Sequence, residues 1–227
     1  MKKILSIMMM LVLSAALYAQ KEVTKFLGIP VDGTKAAMIQ KLKAKGFTPS
    51  LREKDMLVGT FNGAKVNVYI VTNKGKVCRI MVCDANTMNE TDIRIRFNTL
   101  CRQFNENKKY ISASSSDYIL QDGEDISYEM RVKNQRYEAA YWQLPAGTDK
   151  NSLPEKVWSS FKSKYTEDQL ATMTDEQKNE LREQVTMEIS EELSKRSVWF
   201  MISEHYGKYY ISMFYDNEYN RANGEDL

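Results

Sequence analysis

The run at residues 197–217, SVWFMISEHYGKYYISMFYDN, constrains the fold more than any other part of the chain. It reads as two strands joined by a turn at residues 204–208. Successive strand side chains point to opposite faces, so Val198, Phe200 and Ile202 share one face of the first strand and Trp199, Met201 and Ser203 the other. On the second strand Tyr209, Ile211, Met213 and Tyr215 oppose Tyr210, Ser212, Phe214 and Asp216. Neither strand has a polar face. Such a hairpin lies inside a sheet covered on both sides, or it leaves one face for a partner. Each buried Tyr, Trp or Phe withdraws roughly 150–250 Å² from water, so a bare face of this kind would cost solubility. Rings with polar tips suit a half-wet contact with a protein or a glycan, which makes Trp199, Tyr206, Tyr210 and Tyr219 the candidate binding residues, with His205 and Asp216 at the rim.

The rest of the chain falls into two stretches. Residues 20–113 predict a helix, a three-stranded meander and a covering helix. Thr34 can cap the first helix, whose apolar face is Met38, Ile39 and Leu42 and whose stop is Gly46. Asn62-Gly63 and then Asn73-Lys74-Gly75 mark hairpin turns between β-rich runs. In the middle run Val66, Val68 and Ile70 alternate with Asn67, Tyr69 and Val71. Asn89, with Asp92 three residues on, starts a helix carrying Ile93, Phe97, Leu100, Cys101 and Phe104. Residues 114–227 predict a hairpin, two helices and the aromatic hairpin. The first strand of that earlier hairpin alternates Ile126, Tyr128, Met130 and Val132. Ser152 with Glu155, and Thr174 with Gln177, form capping boxes, the first for a helix bearing Val157, Trp158 and Phe161, the second for a helix to about residue 195 with a narrow stripe at Leu181, Val185, Ile189 and Leu193. The expected class is α+β, with antiparallel meander sheets packed by helices in two similar-sized α/β units.

Lys2 and Lys3 precede a run at residues 4–13 that is apolar but for Ser6, followed by the small residues Ser14, Ala15 and Ala16 and then by Ala19. That pattern predicts a secretory signal peptide over residues 1–19, cut after Ala19, and a periplasmic or extracellular destination. The run is too short for a membrane span, which needs about 20 apolar residues. The formal charge is +2 and both of the excess lysines lie in the signal segment, which leaves no basic excess for nucleic acid. Residues 20–113 hold 17 Lys and Arg against 8 Asp and Glu, and residues 114–227 hold 13 against 22, so the two stretches carry +9 and −9. Oppositely charged stretches dock within one chain or between two molecules, which makes self-association a partner class. Cys78, Cys83 and Cys101 are odd in number and read as buried free thiols, with a Cys83–Cys101 bridge the one pairing left open.

Catalytic signals are sparse. His205 is the single histidine, and the zinc, nucleophile-elbow and phosphate-loop patterns are absent from the sequence. Glu124 with Asp125, or Glu129 with Glu138 across the earlier hairpin, are the carboxylate pairs to consider for hydrolysis. Asp216, Glu218 and Asn220 alternate as a calcium loop would, but Gly224 stands outside the required position. No cofactor and no metal is expected.

FLGIPVDGTKAAMIQKLKAKGF near the start, and VWFMISEHYGKYYISMFYDNEYNRANGEDL at the end, resemble an uncharacterised exported protein family of Bacteroides-like bacteria. The resemblance implies export and carries over no functional residue. The helix followed by a meander also looks like small inhibitor or PepSY-type modules, which bind proteins. The expectation is a secreted, non-catalytic binding or structural module of the cell envelope or exterior. The alternatives are an inhibitor of a secreted enzyme, presenting the helix at residues 174–195 as its arm, or a carboxylate-dependent hydrolase of glycans or peptides.

Overall fold

The computed structural model describes residues 22–153, 155, 169, 172–222 and 224. A short hairpin of β1 (Lys25–Phe26) and β2 (Ile29–Pro30) leads into α1 (Lys35–Ala44), β3 (Thr48–Pro49), β4 (Met56–Phe61), β5 (Ala64–Asn73) and β6 (Lys76–Asp84). Then follow α2 (Glu90–Glu106), β7 (Tyr110–Ser112), α3 (Ile126–Val132), β8 (Glu138–Gln143), α4 (Asp175–Ser194), β9 (Ser197–His205), β10 (Lys208–Asp216) and a 3₁₀ turn at Glu218–Asn220. Eight strands form one sheet in the order β3-β4-β5-β6-β10-β9-β8-β7, every neighbouring pair antiparallel. The fold is α+β. Its two meanders, each introduced by a helix, join edge to edge at β6 and β10, so the strand order reads outward from that pair in both directions.

Local chemistry accounts for the elements. The Thr34 side chain accepts from the Ala37 N–H to cap α1, and Asn89 does the same for α2 through the Asp92 N–H. Asn62-Gly63 and Lys74-Gly75 both have positive φ at the two central turn positions, the geometry whose twist matches that of paired strands. Tyr206-Gly207 turns the C-terminal hairpin in the same way.

One face of the sheet is the core. Val66, Val68 and Ile70 of β5 stand beside Ile80 and Val82 of β6, and these continue into Met213 and Tyr215 of β10, then Val198 and Phe200 of β9. Met38 and Leu42 of α1 and Ile93, Phe97, Leu100, Cys101 and Phe104 of α2 bury against it. Phe97, 1% exposed, meets Phe200 with ring centroids 5.1 Å apart, a burial worth about 2–3 kcal/mol. α2, expected to cover the meander before it, packs chiefly on β7, β9 and β10.

Residues 126–132 depart from expectation. The alternation of Ile126, Tyr128, Met130 and Val132 predicts a strand, but this segment is α3. Ile126 and Met130 are also four apart, which is one face of a helix, and those two face the core while Tyr128 and Val132 are exposed. Asp125 decides between the two periods by accepting from the Tyr128 N–H as an N-cap. The Thr174–Gln177 capping box forms with both of its hydrogen bonds, and Leu181 and Leu193 of α4 are buried. The signal segment and the helix expected after Ser152, with Val157, Trp158 and Phe161, lie outside the described residues.

Gly59 of β4 leaves room for the buried Phe47 ring, whose Cδ1 would stand 2.6 Å from an added Cβ. Gly59→Ala should destabilise the protein by about 1–3 kcal/mol, seen as a lower urea midpoint with unchanged slope; an unaltered midpoint would mean the ring is free to withdraw.

Candidate binding face

The second face of the sheet carries the aromatic row that strand parity predicts. Trp199, Met201 and Ser203 of β9 stand beside Phe214, Ser212 and Tyr210 of β10 in register. The β6–β10 pairing adds Arg79, Met81 and Cys83 opposite Asp216, Phe214 and Ser212, and β5 adds Tyr69 opposite Met81. Trp199, Met201, Tyr210, Arg79, Met81 and Tyr69 are all half-buried, while the smaller Ser212 and Cys83 are buried between them. The rows mix apolar surface with short polar links: the Ser203 and Ser212 hydroxyls are 2.8 Å apart, and the Tyr69 hydroxyl lies 3.1 Å from Met56 Sδ.

A fixed ion pair anchors this face. The Arg79 guanidinium donates to both carboxylate oxygens of Asp216, at 2.5 and 2.8 Å, and Trp199 Nε1–H donates to the same carboxylate at 2.9 Å. Trp199 stacks on Phe214 at 4.1 Å between centroids, and Arg79 lies 4.9 Å from the Phe214 ring centre and 5.6 Å from that of Trp199. The Asp216 side chain is 4% exposed, so the residue expected at the rim is interior. Its carboxylate sits where Arg79 and the indole N–H satisfy it, because an unpaired charge at that depth would be costly.

The other candidates lie along the same hairpin at different depths. Trp199 and Tyr210 share the face. His205 ends the Trp199 row at the hairpin tip, beside Tyr206, which is 92% exposed and meets the imidazole with ring centroids 4.4 Å apart. Tyr219 lies beyond the other end of β10, where its hydroxyl donates to Glu192 of α4 and Lys195 Nζ lies 5.9 Å from its ring. Arg79, Met81 and Tyr69 were missed by sequence reasoning. They enter only through the β6–β10 pairing, whose two strands are more than a hundred residues apart, and no local periodicity signals that pairing.

The groups weighed for catalysis are engaged elsewhere. Glu124 accepts from the Tyr137 hydroxyl at 2.6 Å, Asp125 caps α3, Glu129 pairs with Lys133 at the C-terminal cap of α3, and Glu138 pairs with Arg136. The Glu129–Glu138 pair is not assembled, because Glu129 is on a helix rather than on a partner strand. In the acidic tail, Asp216 is held by Arg79, Glu218 by Arg221, and the Asn220 amide donates to Asp32 and to the Val77 carbonyl. Among the described residues no cluster of three or more metal-ligating side chains forms. All three cysteines are free, Cys78 half-buried rather than buried as expected. Cys83 faces Ser212 on the second face and Cys101 lies on the core-facing side of α2, so the sheet separates the pair left open by the sequence. Burial pushes every thiol up, Cys101 to about 12, and keeps them protonated at neutral pH. The chain matches no protein-family model, and neither the curated proteins nor the solved structures hold a match to it.

Removing the Asp216 carboxylate should leave Arg79 and the Trp199 N–H without their partner. Asp216→Ala should lower stability by about 2–4 kcal/mol in urea unfolding, and Asp216→Asn, which keeps an acceptor for the indole, should lose less. Two equal, small losses would show that the pair is not what orders this face.

Proposed function

We propose that this chain is an exported, non-catalytic binding module that engages a partner protein through the second face of its eight-stranded sheet. The observation that carries the reading is the contiguous half-buried patch of Trp199, Met201, Tyr210, Met81 and Tyr69 around the fixed Arg79–Asp216 pair. Tyr, Trp, Met and Arg are the side chains that enrich the centres of protein interfaces, and the carboxylates that touch this patch are engaged, Asp216 by Arg79 and Glu53 at its edge by the Tyr69 hydroxyl. The rows of the patch run across four neighbouring strands, β5, β6, β10 and β9, so it is continuous across the junction of the two meanders. Both rings and methionines are held by a sheet, so little side-chain ordering remains to be done on contact.

The reading of a secreted module rests on the signal pattern at residues 1–19, and that of an enzyme inhibitor is a special case of the same surface. The carboxylates weighed for hydrolysis are committed to caps and ion pairs, which favours binding over a glycan or peptide hydrolase.

Photo-crosslinking in the native host tests the surface directly. A benzoylphenylalanine at Met201 or Tyr210 should trap one discrete protein species, whereas the same probe at Ile95 on α2 or Val132 on α3, both exposed, should not. Met201→Glu should then weaken the purified complex by roughly ten-fold or more while shifting Tm by only a few degrees. Equal trapping at all four positions, or none at Met201 and Tyr210, would refute the assignment.

A further inference from the structure

A cavity of about 740 Å³ opens on the helix-covered side of the sheet, where the β1–β2 hairpin, the β4–β5 turn, the end of α2 and the segment after β8 converge. This volume lies within the range that takes small organic ligands. Leu27, Phe61, Phe104, Leu144 and Pro145 give it apolar walls. Two phenols, Tyr110 and Tyr215, stand among them.

The hydrogen-bond inventory of these phenols is incomplete in a specific way. Tyr215 is only 3% exposed, yet among the described residues its hydroxyl has no hydrogen-bond partner. That oxygen is not sealed in the interior either, since the one fully buried polar side-chain atom lacking a partner among the described residues is Arg94 Nε. The hydroxyl therefore opens onto the cavity. Tyr110 is constrained by Gln143. The Lys25 N–H donates to Gln143 Oε1 at 2.7 Å, which orients the amide, and Gln143 Nε2 then donates to the Lys25 carbonyl and to the Tyr110 oxygen, each at 3.0 Å. With its oxygen accepting from Gln143, Tyr110 has its own proton unspent. Burial pushes both phenols up, and Tyr110 adds repulsion at Tyr215, so both are neutral donors at physiological pH.

The charged side chains in the described lining of the cavity are both cationic. Among the described residues that line it are Lys25 and Lys109 and no carboxylate. The Lys25 ammonium is 3.9 Å from Glu22, whose carboxylate also accepts from the Ala146 N–H, and no ion pair of Lys109 is found among the described residues. Two unspent donors and a cation inside apolar walls suit an acceptor that carries negative charge on an apolar body. An ammonium ligand would meet two lysines and no carboxylate in the described lining, the nearby Glu22 being already engaged by Lys25 and the Ala146 N–H, and a phosphate would need more donors and cations than the walls supply.

We propose that this cavity binds a small carboxylic acid with an apolar body, its carboxylate accepting from the Tyr215 and Tyr110 hydroxyls and neutralised by Lys109. The site is separate from the second face of the sheet and stands or falls independently of it.

Titration calorimetry of the full chain with decanoate and with 3-phenylpropionate, each against the alcohol of the same skeleton, tests the proposal. At least one acid should bind with Kd below about 1 mM and roughly ten-fold or more tighter than its alcohol. Which of the two binds separates an aliphatic from an aromatic body. Tyr215→Phe should weaken that acid by roughly ten-fold, and the exposed Lys109→Gln should weaken the acid but not the alcohol. Tyr215→Phe should also leave the Tm of the ligand-free protein unchanged or higher, because it removes a hydroxyl that no protein atom satisfies. Binding of neither acid, equal binding of acid and alcohol, or full affinity in Tyr215→Phe would each overturn the assignment.

Discussion

The ladder between β6 and β10 is the interaction on which the rest of the structure depends. It joins residues 79–83 to residues 212–216 and makes one sheet of two meanders that are each short of a full core. On the core face it places Ile80 beside Tyr215 and Val82 beside Met213, all 3% exposed or less, so the packing under α1 continues into the packing under α2. On the second face it sets Arg79 opposite Asp216. An arginine and an aspartate directly across a strand pair lock one register, since a slip of one residue would send both to the wrong side of the sheet.

The same junction ties residues 24–31 to residues 216 and 217. The Thr24 hydroxyl donates to the Asp216 carbonyl, the Asn217 amide donates to the Val31 carbonyl, and its N–H donates to the Cys78 carbonyl. Phe26 of the β1–β2 hairpin then packs on Tyr215 at 4.9 Å between ring centres. The N-terminal hairpin so held forms one wall of the cavity, which places the cavity on one side of β10 and the aromatic face on the other. One strand thus serves both candidate sites through opposite parities, Tyr215 into the cavity and Phe214 with Trp199 onto the face.

Much of this was legible in the residues, and the reasons differ by element. Strand parity in the C-terminal hairpin needs only alternation, and each of Val198, Phe200, Ile202, Ile211 and Met213 is buried where parity puts it. The Asn62-Gly63 turn and the caps at Thr34, Asn89 and Thr174 are local chemistry and read directly. Ile126 to Val132 misled because its apolar residues satisfy a period of two and a spacing of four at once, leaving a single cap to choose. The sequence pattern turns polar after Asp216, which points to a rim position for it, whereas the residue is buried. Its partner, Arg79, lies 137 residues away, and burial of the pair follows from a contact no window contains. The cavity was invisible for the same reason: its phenols, lysines and walls come from five separate segments.

Through their pairing, β6 and β10 make the two meanders one cooperative unit. Native-state hydrogen exchange under mild denaturant tests it most directly, by following amides of β5 and β6 against those of β8 and β9. The core amides of both sets should open together, with a single free energy equal to that of global unfolding. Two sets opening at separate free energies, with β6 or β10 exchanging ahead of the outer strands, would contradict it.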